Sequence, residues 1–165
     1  ALKHGITIEE KTLFDAYQQV GRIKTYQIGH FHIIDDCYNA NPISMKSAME
    51  FLSFSAPEGF RCAVLGDMLE LGEESDKYHY LLGKEAGNLG VDILFVYGNY
   101  AKDVEKGAVE VGIKKVYICE SHEEIVDKII KTLQPKTWIL VKGSRGMTME
   151  KVIKQLTERM NLSND

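Results

Sequence analysis

From residue 22 onward the chain alternates between short apolar runs and longer segments whose apolar positions recur every three or four residues. The runs are Phe31–Asp36, Arg61–Gly66, Asp92–Tyr97, Lys115–Cys119 and Trp138–Lys142, rich in β-branched residues. That pattern predicts parallel strands covered on both faces. Arg22–Ile28 alternates more loosely, and Gly29-His30 after it fits a two-residue turn with glycine first. Together with Phe31–Asp36 it predicts an antiparallel hairpin.

The intervening segments carry helix signals. Asn41-Pro42 reads as an N-cap with proline at the first helical position, and Met45, Ala48, Met49 and Leu52 follow at helical spacing. Ser75–Leu89 (Tyr78, Leu81, Leu82, Ala86) and the weaker Tyr100–Val111 predict two more helices. Ser121-His122-Glu123-Glu124 is a capping box before Ile125, Ile129, Ile130 and Leu133, and Pro135 ends that helix. A last helix spans Thr148–Met160 through Val152, Ile153 and Leu156, and residues 161–165 read as a frayed tail. Near the start, Thr7-Ile8-Glu9-Glu10 is another capping box, with Leu13, Phe14, Tyr17 and Val20 on one stripe and Gly21 as a stop. Residues 1–20 therefore look like the end of a preceding unit. The order predicts an α/β, Rossmann-like three-layer domain over residues 21–160. Its six-stranded sheet has five parallel strands and one antiparallel strand, with helices on both faces.

A length of 165 residues suits one domain of this size. The net charge of −4 argues against a nucleic-acid binder that neutralises phosphates. No apolar run approaches the roughly 20 residues a membrane helix needs, so no membrane insertion is expected. The chain opens on Ala1-Leu2-Lys3-His4, neither a signal peptide nor a start methionine, as a processed or truncated chain would. Three cysteines without a CxxC argue against a disulfide framework or structural zinc, and for a reducing, cytoplasmic setting.

Ligands of open parallel sheets bind beyond the carboxyl ends of the strands, which singles out three loops. Asp35–Pro42 offers two carboxylates and then a helix N-terminus that attracts anions; alternatively Asn41 only caps and the aspartates only solvate the loop. Gly66–Glu74 is an acidic, apolar loop that holds a cation or orders a lid, or is merely a solvated connection. Lys142–Met147 groups a lysine, a hydroxyl and an arginine; the arginine fork suits a carboxylate, and the plain alternative is a turn with surface cations. Neither GxxxxGK[ST] nor GxGxxG occurs. Cys37 has no assigned histidine to make it a nucleophile. His30, His32 and Asp35 read as a hairpin surface rather than a metal site, Trp138 as core, and Cys62 and Cys119 as buried thiols.

The segment from Asp35 through Asn39-Ala40-Asn41-Pro42 to Ser44-Met45 resembles the signature that opens the C-terminal domain of Mur ligases. Leu65–Gly72 with His79 and Gly83, and Leu140–Arg145 with Met149-Glu150, fit the same family in the same order. The Tyr-Asn-Ala-Asn-Pro form is similar to the branch that adds D-alanyl-D-alanine to UDP-N-acetylmuramoyl-tripeptide in peptidoglycan precursor synthesis. The resemblance implies a three-domain bacterial ligase, with residues 1–20 ending a central ATPase domain. The P-loop and the Mg²⁺ ligands would lie upstream, ATP would be the cosubstrate, and no catalytic residue is expected in this domain. It further implies that Arg22 reaches ATP phosphate and that Asp36 holds the ribose. Tyr38, Asn39 and Asn41 would shape the nucleotide and incoming-amine pocket. Lys142, Ser144 and Arg145 would lie near the incoming dipeptide, with Arg145 on its carboxylate, Ser144 assisting, and Asn41 beside it. Asp67, Glu70 and His79 would support closure. Cys37 stands where this motif more often has serine, at a position expected to point away from ligand. The implied chemistry is phosphorylation of the tripeptide carboxylate followed by attack of the dipeptide amine. Two other readings stand beside it: a free-standing α/β nucleotide- or dipeptide-binding module, and a ligase of the same superfamily with another amino-acid substrate.

Overall fold

The computed structural model describes residues 23–163. The expected N-terminal helix, its stop at Gly21 and Arg22 lie outside the described residues. Six strands form one sheet: β1 Lys24–Ile28, β2 Phe31–Asp36, β3 Arg61–Gly66, β4 Ile93–Tyr97, β5 Lys115–Cys119 and β6 Trp138–Lys142. Their order is β1-β2-β6-β3-β4-β5. β1 pairs antiparallel with β2, and every other pairing is parallel, as the apolar runs predict. Ile28 pairs with Phe31 across the Gly29-His30 turn, where Gly29 takes φ 57°.

Five helices connect the strands: α1 Pro42–Ser55, α2 Ser75–Asn88, α3 Ala101–Glu110, α4 His122–Thr132 and α5 Glu150–Leu162. Strand alternation sorts them onto two faces. Ala63 and Leu65 of β3 and Leu94 and Val96 of β4 meet α1, α2 and α3. Cys62, Val64, Ile93 and Phe95 point the other way, to α4 and α5. Both faces of the central strands exclude water, whereas Lys24–Gln27 of the edge strand β1 are exposed; complete burial of a side chain such as Phe95 or Leu52 contributes about 1.5–3 kcal/mol before entropy. Trp138, expected in the core, is only partly buried; it opens β6 and stacks on His32 with 4.5 Å between centroids.

Local capping follows the sequence with two differences. Ser121 Oγ accepts from Glu124 N–H at 3.0 Å, but Glu124 Oε2 accepts from Glu120 N–H at 2.7 Å, one residue before the cap, so this box is not reciprocal. The last helix begins at Glu150, two residues later than predicted, because Thr148 takes a left-handed φ of 46° after a 3₁₀ turn at Arg145–Met147. It also continues to Leu162, into the segment expected to fray.

Two features are invisible to periodicity. Gly83 of α2 lies against the Val104 carbonyl of α3, and Gly107 of α3 against the Tyr80 carbonyl of α2; a Cβ at either would overlap backbone. These glycines set how closely the two helices cross. At the amino end of β3, Arg61 Nε donates to Ala56 O at 2.7 Å and Nη2 to Pro57 O at 3.1 Å, while Nη1 reaches Leu89 O at 3.4 Å. One guanidinium thus serves carbonyls at the carboxyl ends of α1 and α2.

Gly83→Ala is expected to lower the unfolding free energy by about 1–3 kcal/mol through overpacking, read from chemical denaturation midpoints. An unchanged midpoint would mean the crossing relaxes freely.

Candidate functional site

The helix after β2, α1, covers one face of the sheet, and the helix after β6, α5, covers the other. The carboxyl ends of these neighbouring parallel strands therefore flank a switch point, where crevices form. Asp36 and Lys142 are register partners there. Each lies two residues after an inward side chain of the α1 face, Ile34 and Leu140, so both side chains rise on that face. Lys142 Nζ donates to Asp36 Oδ2 at 2.7 Å and to Asn39 O at 2.8 Å. Lys142 is 2% exposed and Asp36 7%. Beside them opens a cleft of about 460 Å³ that Asp36, Tyr38, Asn39, Asn41 and Lys142 line together with Ile23 and the first turns of α1.

Asn41 closes the loop as a reciprocal cap. Its Oδ1 accepts from Ser44 N–H at 2.9 Å, and Ser44 Oγ accepts from Asn41 N–H at 3.0 Å. Asn39 Oδ1 accepts from Ala40 N–H at 2.8 Å. Just before them the backbone holds Tyr38 outward, 47% exposed. The Arg145 guanidinium lies over the Tyr38 ring, 5.3 Å from its centroid, so the rim of the cleft joins the β2 and β6 loops. Cys37 turns to the opposite face, where its thiol donates to Val141 O at 3.5 Å.

The second and third loops are tied to the first from within. Ser144 Oγ accepts from Leu69 N–H at 2.8 Å and donates to Ala40 O at 3.4 Å, and Ser144 N–H donates to Asp67 O at 3.0 Å. One buried serine therefore bonds to both of the other loops. Asp67, 3% exposed, accepts from the amides of Asn99 at 2.7 Å and Tyr100 at 3.2 Å, at the head of α3. Gly98 (φ 127°) leaves room for that carboxylate, which a Cβ there would strike. His79 is wholly buried; Nδ1–H donates to Ser75 O at 2.6 Å and Nε2 accepts from Met68 N–H at 3.0 Å. Its Nε2 is also 3.9 Å from Asp67 Oδ1, but a ring nitrogen that accepts an amide proton holds none to share, so no ion pair forms. Glu70 is exposed at a left-handed φ of 63°, at the turn of the same loop.

Of the residues singled out from sequence, Asp36, Tyr38, Asn39, Asn41 and Lys142 line one cleft, and Arg145 reaches its rim. Ser144, Asp67 and His79 are inside, as loop ties. Arg22 lies outside the described residues. Sequence reasoning passed over a second cleft, of about 660 Å³, at the ends of β3, β4 and β5, where Asn99, Lys102 and Glu120 stand. The strand-end rule, applied to β4 and β5, points there too. At its edge His122 Nε2–H donates to Met147 O at 2.9 Å.

The chain belongs to the Mur ligase family: residues 21–145 match the model described as Mur ligase, glutamate ligase domain. Among curated relatives, the UDP-N-acetylmuramoyl-tripeptide–D-alanyl-D-alanine ligase of Rickettsia prowazekii is 33% identical over 153 residues. That match takes in 90% of this chain and 32% of the relative, so the chain spans about a third of its length. Among solved structures, MurF from Acinetobacter baumannii is 31% identical with a TM-score of 0.74, over 84% of this chain and 30% of that one. MurF ligase from Thermotoga maritima, solved in complex with ADP, is 26% identical with a TM-score of 0.72, over 87% of this chain and 32% of that one.

Two outcomes follow from the geometry. Ser144→Ala leaves the Leu69 amide without its partner and is expected to cost about 1–3 kcal/mol in denaturation experiments; no loss would mean the loops hold without that bond. Burial pushes the Cys37 and Cys62 thiols up from their ordinary 9.0, and Cys119 up to about 11. The folded state keeps these protons after the unfolded state has lost them. Stability is therefore fully present below pH 9 and falls as the pH rises towards about 11. Melting temperatures across about pH 8–11 check the sign: a fall is expected above the unfolded thiol pKa, and a constant or rising value would contradict it.

Proposed function

We propose that this chain is the C-terminal domain of an ATP-dependent amide ligase that joins D-alanyl-D-alanine to UDP-N-acetylmuramoyl-tripeptide. The observation that carries this reading is the cleft headed by Asp36, Asn39 and Asn41 at the β2/β6 switch point, in a chain of the Mur ligase family. Its donors and acceptors suit a nucleoside: an Asp36 oxygen for ribose hydroxyls, and Tyr38 as a ring to lie against a base. Arg22 belongs to the phosphate side of this scheme. Asn41 stands between nucleotide and incoming amine. Its side-chain NH₂ makes no hydrogen bond among the described residues.

In the same reading, exposed Arg145 takes the dipeptide carboxylate in a two-pronged grip, with Ser144 holding its loop and Lys142 standing behind the nucleotide subsite. Asp67 and His79 fix the β3 loop that closes beside them, with Glu70 exposed at its turn. The tripeptide carboxylate is phosphorylated, and the dipeptide amine then attacks the acyl carbon, releasing phosphate. This domain contributes orientation of the amine and exclusion of water. Mg²⁺ and the phosphorylating groups belong to preceding domains in this scheme; among the described residues no group of three or more His, Cys, Asp or Glu is placed to hold a metal. Residues 1–20 are assigned to the end of the central ATPase domain, and 21–160 to the acceptor domain. A reducing cytoplasm suits the three free, buried cysteines. Among the described residues no helix is long and apolar enough to cross a membrane.

The test uses the complete ligase polypeptide. Phosphate release is expected only with ATP, the UDP-linked tripeptide and D-alanyl-D-alanine together, with the joined product seen by mass spectrometry. Arg145→Ala is expected to raise the dipeptide KM about tenfold or more while the ATP KM stays within about twofold. Product formed with another amino acid instead would contradict the substrate, and an unchanged dipeptide KM would remove Arg145 from the carboxylate.

A further inference from the structure

Lys142 is the one lysine or arginine buried among the described residues. An ammonium group in that position costs heavily unless its hydrogens find acceptors. Here two are met, by Asp36 Oδ2 and the Asn39 carbonyl. Its head is thus held by the first loop, although its backbone belongs to the third. No described hydrogen bond involves Asp36 Oδ1, and the carboxylate borders the cleft.

We propose that Lys142 is a positioning residue for nucleotide binding: it clamps one oxygen of Asp36 so that the other meets the ribose diol in a fixed direction. The inference rests on the proposed reading of Asp36 as the ribose acceptor. Two physical arguments carry it. A carboxylate held at one oxygen has its rotamer set during folding, so binding does not bear that ordering cost. A bare carboxylate beside a polyphosphate would also repel it, whereas the Lys142 ammonium offsets that charge and leaves the second carboxylate oxygen as an acceptor. Holding Asn39 O with the same ammonium fixes the turn that presents Tyr38. Lys142 acts on the nucleotide through Asp36 and does not itself touch the dipeptide.

The complete ligase tests this through its preference for ATP over 2′-deoxy- and 3′-deoxy-ATP, taken as the ratio of kcat/KM values. The wild type is expected to prefer ATP by about tenfold or more, the worth of a hydrogen bond to a charged acceptor. Asp36→Asn and Lys142→Met should each bring the ratio towards one, and the double variant should go no further, because both act through one contact. The dipeptide KM should stay within about twofold of wild type in Lys142→Met. Should that variant fail to fold by thermal melt, Lys142→Arg keeps the charge and moves the donor, and the same loss of preference is expected. If Asp36→Asn loses the preference but both Lys142 variants keep it and raise the dipeptide KM, Lys142 is a dipeptide contact and the proposal is overturned. If Asp36→Asn keeps the preference, the ribose reading fails first and the proposal with it.

Discussion

A buried ammonium group needs acceptors on the inside of the protein, and Lys142 finds them on a different loop from its own. Its bonds to Asp36 and Asn39 lock the carboxyl ends of β2 and β6 together at the point where the connecting helices change face. The cleft takes its shape from that lock. Asp36 is held upright, the Tyr38-Asn39 turn is pinned, and α1 starts one residue after Asn41 with its cap fully formed.

The same economy runs through the neighbouring loops. Ser144 bonds the loop after β6 to those after β2 and β3, and Asp67 fastens the loop after β3 to the head of α3. His79 secures the Met68 amide between them. The polar side chains in this region that are most buried are therefore ties, while two exposed ones, Tyr38 and Arg145, meet each other at the rim. A rim that presents an arginine and an aromatic ring suits the proposed role of orienting substrates.

Much of the fold was legible in the sequence because burial on two faces leaves a mark at each residue. The runs at Arg61–Gly66 and Trp138–Lys142 coincide with β3 and β6, and Asn41-Pro42 starts α1 as its chemistry requires. The cleft was legible too, since Asp36, Asn39 and Asn41 end a strand and begin a helix. What stayed hidden depends on partners far along the chain. Nothing local distinguishes Lys142 from a surface cation until Asp36, 106 residues earlier, is seen beside it. Gly83 and Gly107 look like ordinary weak helix positions until two backbones are found in contact. Thr148 shifts the start of α5 by adopting a conformation its residue type does not announce.

The central claim is that the β2/β6 cleft receives the nucleotide. Hydrogen–deuterium exchange of the complete ligase, with and without a non-hydrolysable ATP analogue, addresses it directly. The account predicts that the analogue slows exchange of the amides from Asp36 through the first turn of α1 and around Lys142. Protection confined to the second cleft, at Gly98–Tyr100, or no protection anywhere in this domain, would contradict it.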